Sequence, residues 1–367
     1  MSTTLASVQT LEDIVAEVRR CSQIGKQILP TGNGTKPHLS STGVSDIQRM
    51  SLAAWAGVVE YQPFEFTITA KSGTRVIDIQ RELKAQGQFL PFDPIFAQEG
   101  ATLGGTIATG VSGPGRLLFG GIRDFILGVQ FVDGLGQVVR GGGKVVKNAA
   151  GFDLPKMMVG SLGRLGILSE ITLKVFPKPI GYRTLTFNAK SISNALNQIS
   201  RLMLLPIDIV AVEVASDRTV SVRVAGDEAT ATNLTCRIRD HLGISQAEEW
   251  SGEQDSNYWT DAAELVWAKD AHILVRVPLT MQDIEKLDRR LETIGAKRWY
   301  SAAANAAWVA VSDIEQRAQL EIILCEVGLK GLVLRGEGAL IIGRDTTTAF
   351  ARRIQKAIDP GQVFVAY

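Results

Sequence analysis

The sequence predicts an α+β protein built from two domains. The chain has 367 residues, which is more than one average domain contains. Half of its 36 glycines fall between residues 95 and 170, and this segment gives way to a Pro-rich boundary at Pro177-Lys178-Pro179. Beyond that boundary, helical segments alternate with pairs of strand segments, which is typical of an antiparallel sheet with helices on one face. We therefore predict a first domain over residues 1–180, a second α+β domain over residues 181–350, and a tail over residues 351–367 that returns to the first domain.

Composition and charge exclude several classes of function. The balance of 39 basic and 38 acidic residues gives a net charge of +1, which argues against a nucleic-acid binder and against a polybasic membrane anchor. Cys21, Cys236 and Cys325 lie far apart, so they form neither a disulfide framework nor an iron–sulfur cluster, which needs about four thiolates. The three histidines show no HxH or HxxxH spacing, so we predict no metal site. The first residues lack the pattern of a signal peptide, and no apolar run reaches the roughly 18 residues of a membrane span, so we expect a cytoplasmic protein.

The N-terminal part begins with a helix, a short strand and a loop. Thr10 is placed to cap the helix, because Asp13 follows three residues later and apolar residues then recur on one helical face. Gly25 is placed to end this helix. Residues 27–29 then form a predicted strand, and residues 30–35 a turn-rich loop.

A hairpin is the clearest strand signal of the first domain. Residues 56–61 and 65–70 form two predicted strands. Residues 126–132 form another, Asp133-Gly134 is a typical hairpin turn, and residues 137–140 return as its partner. The first domain therefore mixes strands and helices with short connections.

The second domain repeats strand pairs and helices. The helices carry the apolar spacing of an amphipathic face, and the strands are rich in valine and isoleucine. The predicted strands are 182–187, 207–214, 219–225, 273–277, 306–311 and 332–335, and the predicted helices are 191–203, 227–242, 281–294 and 314–327.

Three dense glycine clusters need more than ordinary turns to explain them. They lie at residues 32–35, 104–106 and 110–115. Runs of small residues leave backbone N–H groups open to a polyanion, above all a diphosphate. The P-loop pattern fails because Gly143-Lys144 is followed by valine, which has no Mg²⁺-binding hydroxyl, and the Rossmann pattern fails because Pro37 stands at its third glycine. An anion site built from several separate loops remains.

Four blocks in a fixed order carry a resemblance to a known family. The segment PTGNGT at residues 30–35 resembles the PxGGGT pyrophosphate loop of the p-cresol methylhydroxylase-type (vanillyl-alcohol oxidase) FAD-binding superfamily. Together, over roughly residues 10–180, the blocks are similar to that superfamily's FAD domain, and the following segment is similar to a cap domain. The other blocks are GATLGGTIATG at residues 100–110, GGIRD at 120–124, and KNAAGFDL with GSLGRLGI at 147–154 and 160–167.

The resemblance implies a noncovalent FAD site made from these blocks. It implies that N–H groups of residues 32–35 and of Gly104-Gly105 hold the diphosphate. Asn33 stands where the family has glycine, which is tolerable because Asn is enriched among non-glycine residues at positive φ. The cofactor-binding residues implied in this way are Thr31, Gly32, Asn33, Gly34, Thr35, Ala101, Thr102, Gly104, Gly105, Thr109, Gly113, Gly166 and Ile167.

Within this superfamily the chain resembles the flavoprotein subunits of bacterial glycolate dehydrogenases (glycolate oxidases). The resemblance implies oxidation of glycolate to glyoxylate in a complex with a second flavoprotein and an iron–sulfur subunit, with membrane association only through these partners. Catalytic relatives carry an HxH pair in the cap that this chain lacks, so no catalytic residue is assigned. Two alternatives stay open: a self-sufficient FAD-dependent oxidoreductase of another hydroxy compound, and a non-catalytic scaffold subunit with a vestigial flavin site.

Several side chains outside the glycine blocks are further candidates. The resemblance places Lys147 and Asn148 near the flavin. Arg335 and Lys269 are candidates to bind a substrate carboxylate. His38 follows the first loop closely, and a histidine in a short loop is normally solvated.

Tryptophans in the second domain suggest a surface for association. Trp250, Trp259 and Trp267 lie eight or nine residues apart, close to helical repeats. Six tryptophans and 45% apolar residues modestly exceed the needs of a lone cap. Trp259 and Trp267 are therefore expected to contribute to an association surface.

Overall fold

The computed structural model describes residues 5–40, 47–143, 152–301, 303, 305–344 and 349–365. The strands are β1 (Leu5–Ser7), β2 (Gln27–Thr31), β3 (Ile47–Ser51), β4 (Val58–Gln62), β5 (Thr67–Lys71), β6 (Gln88–Phe89), β7 (Ile126–Val132), β8 (Val138–Gly142), β9 (Ile167–Lys174), β10 (Phe176–Pro177), β11 (Tyr182–Asn188), β12 (Ile209–Ala215), β13 (Thr219–Ala225), β14 (Glu248–Ser251), β15 (Ile273–Pro278), β16 (Lys297–Ser301), β17 (Ala306–Val311), β18 (Lys330–Arg335) and β19 (Ile341–Gly343). The helices are α1 (Leu11–Gln23), α2 (Val76–Ala85), α3 (Leu103–Thr109), α4 (Arg116–Phe119), α5 (Ile122–Phe125), α6 (Leu154–Met158), α7 (Ile192–Leu202), α8 (Glu228–Leu242), α9 (Gly252–Ala263), α10 (Met281–Thr293), α11 (Ile314–Val327) and α12 (Ala349–Ile358). Single 3₁₀ turns occur at Pro37–Ser40, Pro63–Glu65 and Val266–Ala268.

Helix α1 forms where its local signals predict it. The Thr10 hydroxyl accepts the N–H of Asp13 at 3.1 Å, and the Asp13 carboxylate accepts the N–H of Thr10 at 2.9 Å. This reciprocal pair satisfies two N–H groups that the first turn otherwise leaves without partners. Ile14 and Val18 are buried on the inner face, and Gly25 takes a φ of +66° just beyond the helix end.

Two sheets support the first half of the chain. Strands β1, β3 and β2 form a parallel sheet in that order, and β4, β5, β9, β7 and β8 form an antiparallel one. The predicted Asp133-Gly134 hairpin joins β7 to β8. Ile28 of the first sheet packs in one core cluster with Val132 and Ile167 of the second. Strand β2, which leads into the first glycine loop, is therefore packed against the second sheet.

The second half is built on one nine-stranded antiparallel sheet. Its strand order is β14-β11-β13-β12-β16-β17-β15-β18-β19. Along β15, Ile273 and Val275 share a core with residues of α7, α8, α10 and α11, whereas Leu274 packs with residues of the first half. Neighbouring residues of a strand point to opposite faces, so at β15 these four helices cover one face and the first half covers the other. The predicted α+β fold class is confirmed.

The C-terminal tail packs on the first sheet. Phe364 is only 1% exposed and shares a core cluster with Ile28. The Ile28 N–H donates to the Val363 carbonyl oxygen at 2.7 Å, and the Asp359 carboxylate accepts the N–H groups of Val363 and Phe364 at 2.8 Å each. These contacts fasten the tail beside β2. The division of the chain into domains near residues 180 and 350 stays a prediction.

The structure contradicts the predicted association surface at Trp259. This residue lies on α9, is 4% exposed, and donates from Nε1 to the Thr184 hydroxyl at 2.7 Å. Trp267 is half-buried and stacks on Trp299, with ring centroids 5.8 Å apart. The physical reason is that α9 packs on β11 and β14, so the apolar area that suggested an interface is used within the chain.

We expect Trp259→Phe to lower the free energy of unfolding by about 1–2 kcal/mol. The change removes a buried hydrogen bond and leaves part of the indole volume empty. Trp267→Phe is the matched control and is expected to cost less, because Trp267 Nε1 has no hydrogen-bond partner among the described residues. Urea unfolding measures both variants, and equal losses would contradict the role of the bond to Thr184.

Candidate functional site

A cleft lies where the loop after β2 faces α3. It contains about 740 Å³ of empty space, part of it open to solvent. The first glycine loop forms one wall, and the start of α3 forms the other. The predicted cofactor-binding residues that the structure brings together here are Thr31, Gly32, Asn33, Gly34, Thr35, Thr102, Gly104, Gly105, Thr109 and Gly166.

Close packing fixes the first loop against α3. A Cβ added to Gly32 would lie 2.2 Å from Thr102 Oγ1, so only glycine allows this approach. The conformational reason expected for Asn33 is wrong, because Asn33 does not have a positive φ. Its Nδ2 instead donates to the Gly100 carbonyl oxygen at 2.8 Å. The asparagine therefore ties the loop to the segment that precedes α3.

The two glycine segments differ in their free N–H groups. Among the described residues, the backbone N–H groups of residues 32–35 have no acceptor. The N–H of Gly104 donates to the Ser72 carbonyl oxygen at 2.7 Å, and that of Gly105 to Thr102 Oγ1 at 3.3 Å. The expectation that Gly104 and Gly105 supply N–H donors to the diphosphate is therefore wrong, because Ser72 and Thr102 already accept these two N–H groups. These two glycines leave room for a ligand instead.

The cleft fits a diphosphate. The Ser72 hydroxyl borders the cleft and is buried without a hydrogen-bond partner among the described residues. A diphosphate offers only acceptor oxygens, and the cleft lining includes donors without an acceptor among the described residues, namely the N–H groups of residues 32–35 and this hydroxyl. A run of small residues with open N–H groups is the usual cradle for such an anion. The residues present thus match the phosphates of the cofactor that the resemblance implies.

Three predicted residues do not line the cleft, namely Ala101, Gly113 and Ile167. A Cβ on Gly113 would lie 2.4 Å from the Asp93 carbonyl oxygen, so this glycine serves close backbone packing. The Ala101 carbonyl oxygen accepts the N–H of Val76 at 2.8 Å and so fixes the start of α2. Ile167 is fully buried at the start of β9.

The carboxylate-binding candidates occupy a different place. Arg335 Nη1 donates to the carbonyl oxygens of Ala268 and Lys269 at 3.0 Å each, so it fixes the turn that follows α9. Lys269 is exposed at that turn. Lys147 and Asn148 lie outside the described residues.

A buried arginine that was not predicted from the sequence lies on the sheet face that meets the first half. Arg276 lies on β15 on the same face as Leu274. Its Nε is buried without a partner, and no carboxylate among the described residues forms an ion pair with it. Burial, together with the positive charge of Arg116, lowers the pKa of Arg276 to about 10. Strand alternation was the available signal, because the apolar residues on either side of Arg276 belong to the opposite face.

Sequence reasoning also missed several residues of the cleft and misplaced His38. His38 is 3% exposed, and its ring nitrogens lie 2.8 Å from the Gly336 carbonyl oxygen and 3.3 Å from that of Ala339. The segment after the loop is therefore anchored to the connection between β18 and β19. The lining residues that sequence reasoning missed are Pro30, Lys36, Leu39, Leu52, Ser72, Ala108, Leu162, Gly163 and Leu168.

The described part of the chain has neither a metal-binding cluster nor a membrane-spanning helix. There, no three His, Cys, Asp or Glu side chains are grouped to hold a metal ion. None of the helices in the same ranges has the length and apolar character needed to cross a bilayer.

The known proteins that this chain resembles agree with the family predicted from the glycine-rich blocks. A family described as an FAD binding domain matches residues 3–142. Glycolate oxidase subunit GlcE of Escherichia coli (strain K12) is 39% identical over 263 residues, which cover 70% of this chain and 71% of that subunit. Glycolate oxidase subunit GlcD of Bacillus subtilis (strain 168) is 31% identical over 183 residues, which cover 50% of this chain and only 39% of that subunit.

A solved structure supports the fold. The crystal structure of p-cresol methylhydroxylase with substrate bound aligns with a TM-score of 0.72 over 98% of this chain and 87% of that one. The sequence identity is 13%, so this likeness concerns the fold alone. It confirms the fold predicted from the glycine-rich blocks.

Proposed function

We propose that this chain, which belongs to the GlcE family of p-cresol methylhydroxylase-type FAD-binding proteins, is the FAD-binding subunit of a glycolate-oxidising complex. The family membership predicted from the ordered glycine blocks is confirmed. One observation carries the proposal. The identity to GlcE extends over 263 residues, which is more than the first 180 residues alone, so it includes part of the second half.

The cleft supplies the cofactor contacts of this proposal. The N–H groups of residues 32–35 and the Ser72 hydroxyl donate to the diphosphate, and Gly104-Gly105 leave space for it. Leu52 and Leu168 form apolar parts of the lining and keep water away from the bound ligand. Bound FAD would supply the hydride acceptor for oxidation at the carbon that bears the hydroxyl group of a 2-hydroxy acid.

We propose that electrons leave this chain through an iron–sulfur partner. Cys21, Cys236 and Cys325 cannot ligate a cluster, which needs about four thiolates. The names of GlcE and GlcD indicate that those relatives are subunits of a larger glycolate oxidase. By analogy, this chain works in the cytoplasm with a second flavoprotein and an iron–sulfur subunit.

The test is glycolate-dependent dye reduction by the isolated chain and by the reconstituted complex. We expect the isolated, FAD-loaded chain to be about 100-fold slower or more, which is the typical effect of a missing acid–base group. The physical reason is that no HxH pair or other recognisable base is available in its sequence. Flavin content is measured in parallel, so that loss of cofactor is not mistaken for loss of chemistry.

A self-sufficient oxidoreductase is the second candidate, and one observation favours it. Arg276 is a buried cation without a carboxylate partner among the described residues, and the carboxylate of a hydroxy acid is a suitable anion for it. Comparable turnover by the isolated chain would support this candidate over the complex. A purified complex whose GlcE-like chain holds no flavin would support a scaffold role.

A further inference from the structure

The described lining of the cofactor cleft includes one ionisable side chain. Of the described residues that line it, only Lys36 carries an ionisable group, and the others are small, apolar or neutral polar residues. The diphosphate of FAD carries two negative charges, whereas the N–H groups of residues 32–35 supply only partial charges. A lysine at this place is therefore the only full positive charge that the described lining offers.

The ammonium group of Lys36 is shielded from water. The residue is 7% exposed, its Nζ donates to Thr35 Oγ1 at 3.2 Å, and Nζ lies 5.6 Å from the ring centroid of Phe96. Among the described residues, no carboxylate lies within ion-pair distance of it. A buried charge without an ionic partner is costly, so an anion that enters the cleft would compensate it.

The backbone around Lys36 is held in place on both sides. Thr35 belongs to the glycine loop, and Pro37 restricts φ directly after Lys36. His38 is anchored to carbonyl oxygens of Gly336 and Ala339. The side chain of Lys36 therefore starts from a fixed point at the edge of the cleft, as a positioned binding group requires.

Two carboxylates face Lys36 from the neighbouring elements. Glu99 lies in the segment before α3, and Glu264 lies at the end of α9, where its Oε1 accepts the N–H of Gln98 at 2.9 Å. Both favour the charged lysine from a distance, but burial outweighs them. Burial lowers the pKa of Lys36 to about 8.

We propose that Lys36 is the ionic partner of the FAD diphosphate and donates from Nζ to a phosphate oxygen. The inference rests on the proposed function, since it requires FAD in this cleft. A lysine binds phosphate as a compact point charge, and its flexible stem reaches an oxygen without a special geometry. Lys36 then complements the N–H groups of residues 32–35, which orient the same anion.

This role predicts how FAD affinity depends on pH. A bound diphosphate favours the ammonium form, so the pKa of Lys36 is higher in the complex than in the free protein. The affinity is therefore greatest below pH about 8 and falls as pH rises through that value, because the free protein must then take up a proton to bind.

The test is titration of the apoprotein with FAD, followed by quenching of flavin fluorescence. Lys36→Gln is expected to raise the Kd about 10- to 100-fold near pH 7, the effect of losing one charged hydrogen bond. The same variant loses the pH dependence between about pH 7 and about pH 9. Lys36→Arg keeps the charge, so it retains most of the affinity and binds equally at both pH values.

Lys84→Gln is the matched control, because Lys84 is exposed on α2 outside this cleft. It is expected to keep the affinity and the pH profile of the wild type. An unchanged Kd in Lys36→Gln, or a higher Kd with the wild-type pH profile, overturns the inference. If Lys36→Gln does not fold, a wild-type pH profile in Lys36→Arg overturns it equally. Failure of the proposed function is a separate result, namely an FAD-loaded complex that does not oxidise glycolate.

Discussion

Gly105→Asp is expected to weaken FAD binding about 100-fold or more, while Gly105→Asn changes it far less. Gly105 lines the cleft, and apart from its own helix backbone and chain neighbours, the one described atom within 4 Å of an added Cβ is Thr102 Oγ1 at 3.1 Å. A longer side chain at this position therefore extends into the cleft. Asp places a carboxylate near the diphosphate, and juxtaposed like charges cost several kcal/mol, which corresponds to about 100-fold or more in Kd.

The comparison of Gly105→Asp with Gly105→Asn measures the effect of the carboxylate charge on the Kd for FAD. The two side chains have the same shape, so both meet Thr102 in the same way and both lose the space that glycine leaves. Titration with FAD gives the two Kd values, and circular dichroism shows whether each variant is folded. Full flavin occupancy in Gly105→Asp would place the diphosphate elsewhere.

Phe364→Ala is expected to lower the free energy of unfolding by about 3–5 kcal/mol, the usual cost of truncating a fully buried phenylalanine. Phe364 is 1% exposed and packs with Ile28 in the core beneath the first sheet. Its N–H is also held by the Asp359 carboxylate at 2.8 Å. Because β2 leads directly into the glycine loop at residues 32–35, looser packing here is also expected to weaken FAD binding.

Phe64→Ala provides the matched control for this substitution. Phe64 is 97% exposed, so its truncation is expected to change the free energy of unfolding by no more than about 0.5 kcal/mol. Urea unfolding of the two variants gives the difference directly. Similar small losses in both would show that the tail does not contribute to the core of the first sheet.

Local signals in the sequence predict several elements because their causes are local. Thr10 and Asp13 cap α1 through atoms that lie within one turn of each other, so no distant residue takes part. The Asp133-Gly134 turn joins β7 to β8 for the same reason. The alternation of helices with strand pairs predicts the layered second half, because each element needs an apolar face to bury.

The contacts of the candidate site cannot be predicted from local sequence signals. The first glycine loop can be recognised from its residues, but its partners come from distant parts of the chain. Asn33 has a use that no local pattern reveals, because its acceptor, the Gly100 carbonyl oxygen, lies 67 residues away. Lys36 is a candidate because it is buried beside the loop. The residues next to it in the sequence do not show whether its side chain is buried or exposed.

The fold class, the family and the small residues of the first loop can all be predicted from the amino-acid sequence. Each depends on local spacing or on the order of short blocks along the chain. Packing of distant segments was needed to show that Trp259 is core, that the N–H groups of Gly104 and Gly105 are used within the chain, and that Lys36 is the one cation in the described lining of the cleft. The physical reason is that burial and hydrogen-bond partners are set by residues far apart in sequence, which meet only when both halves have packed.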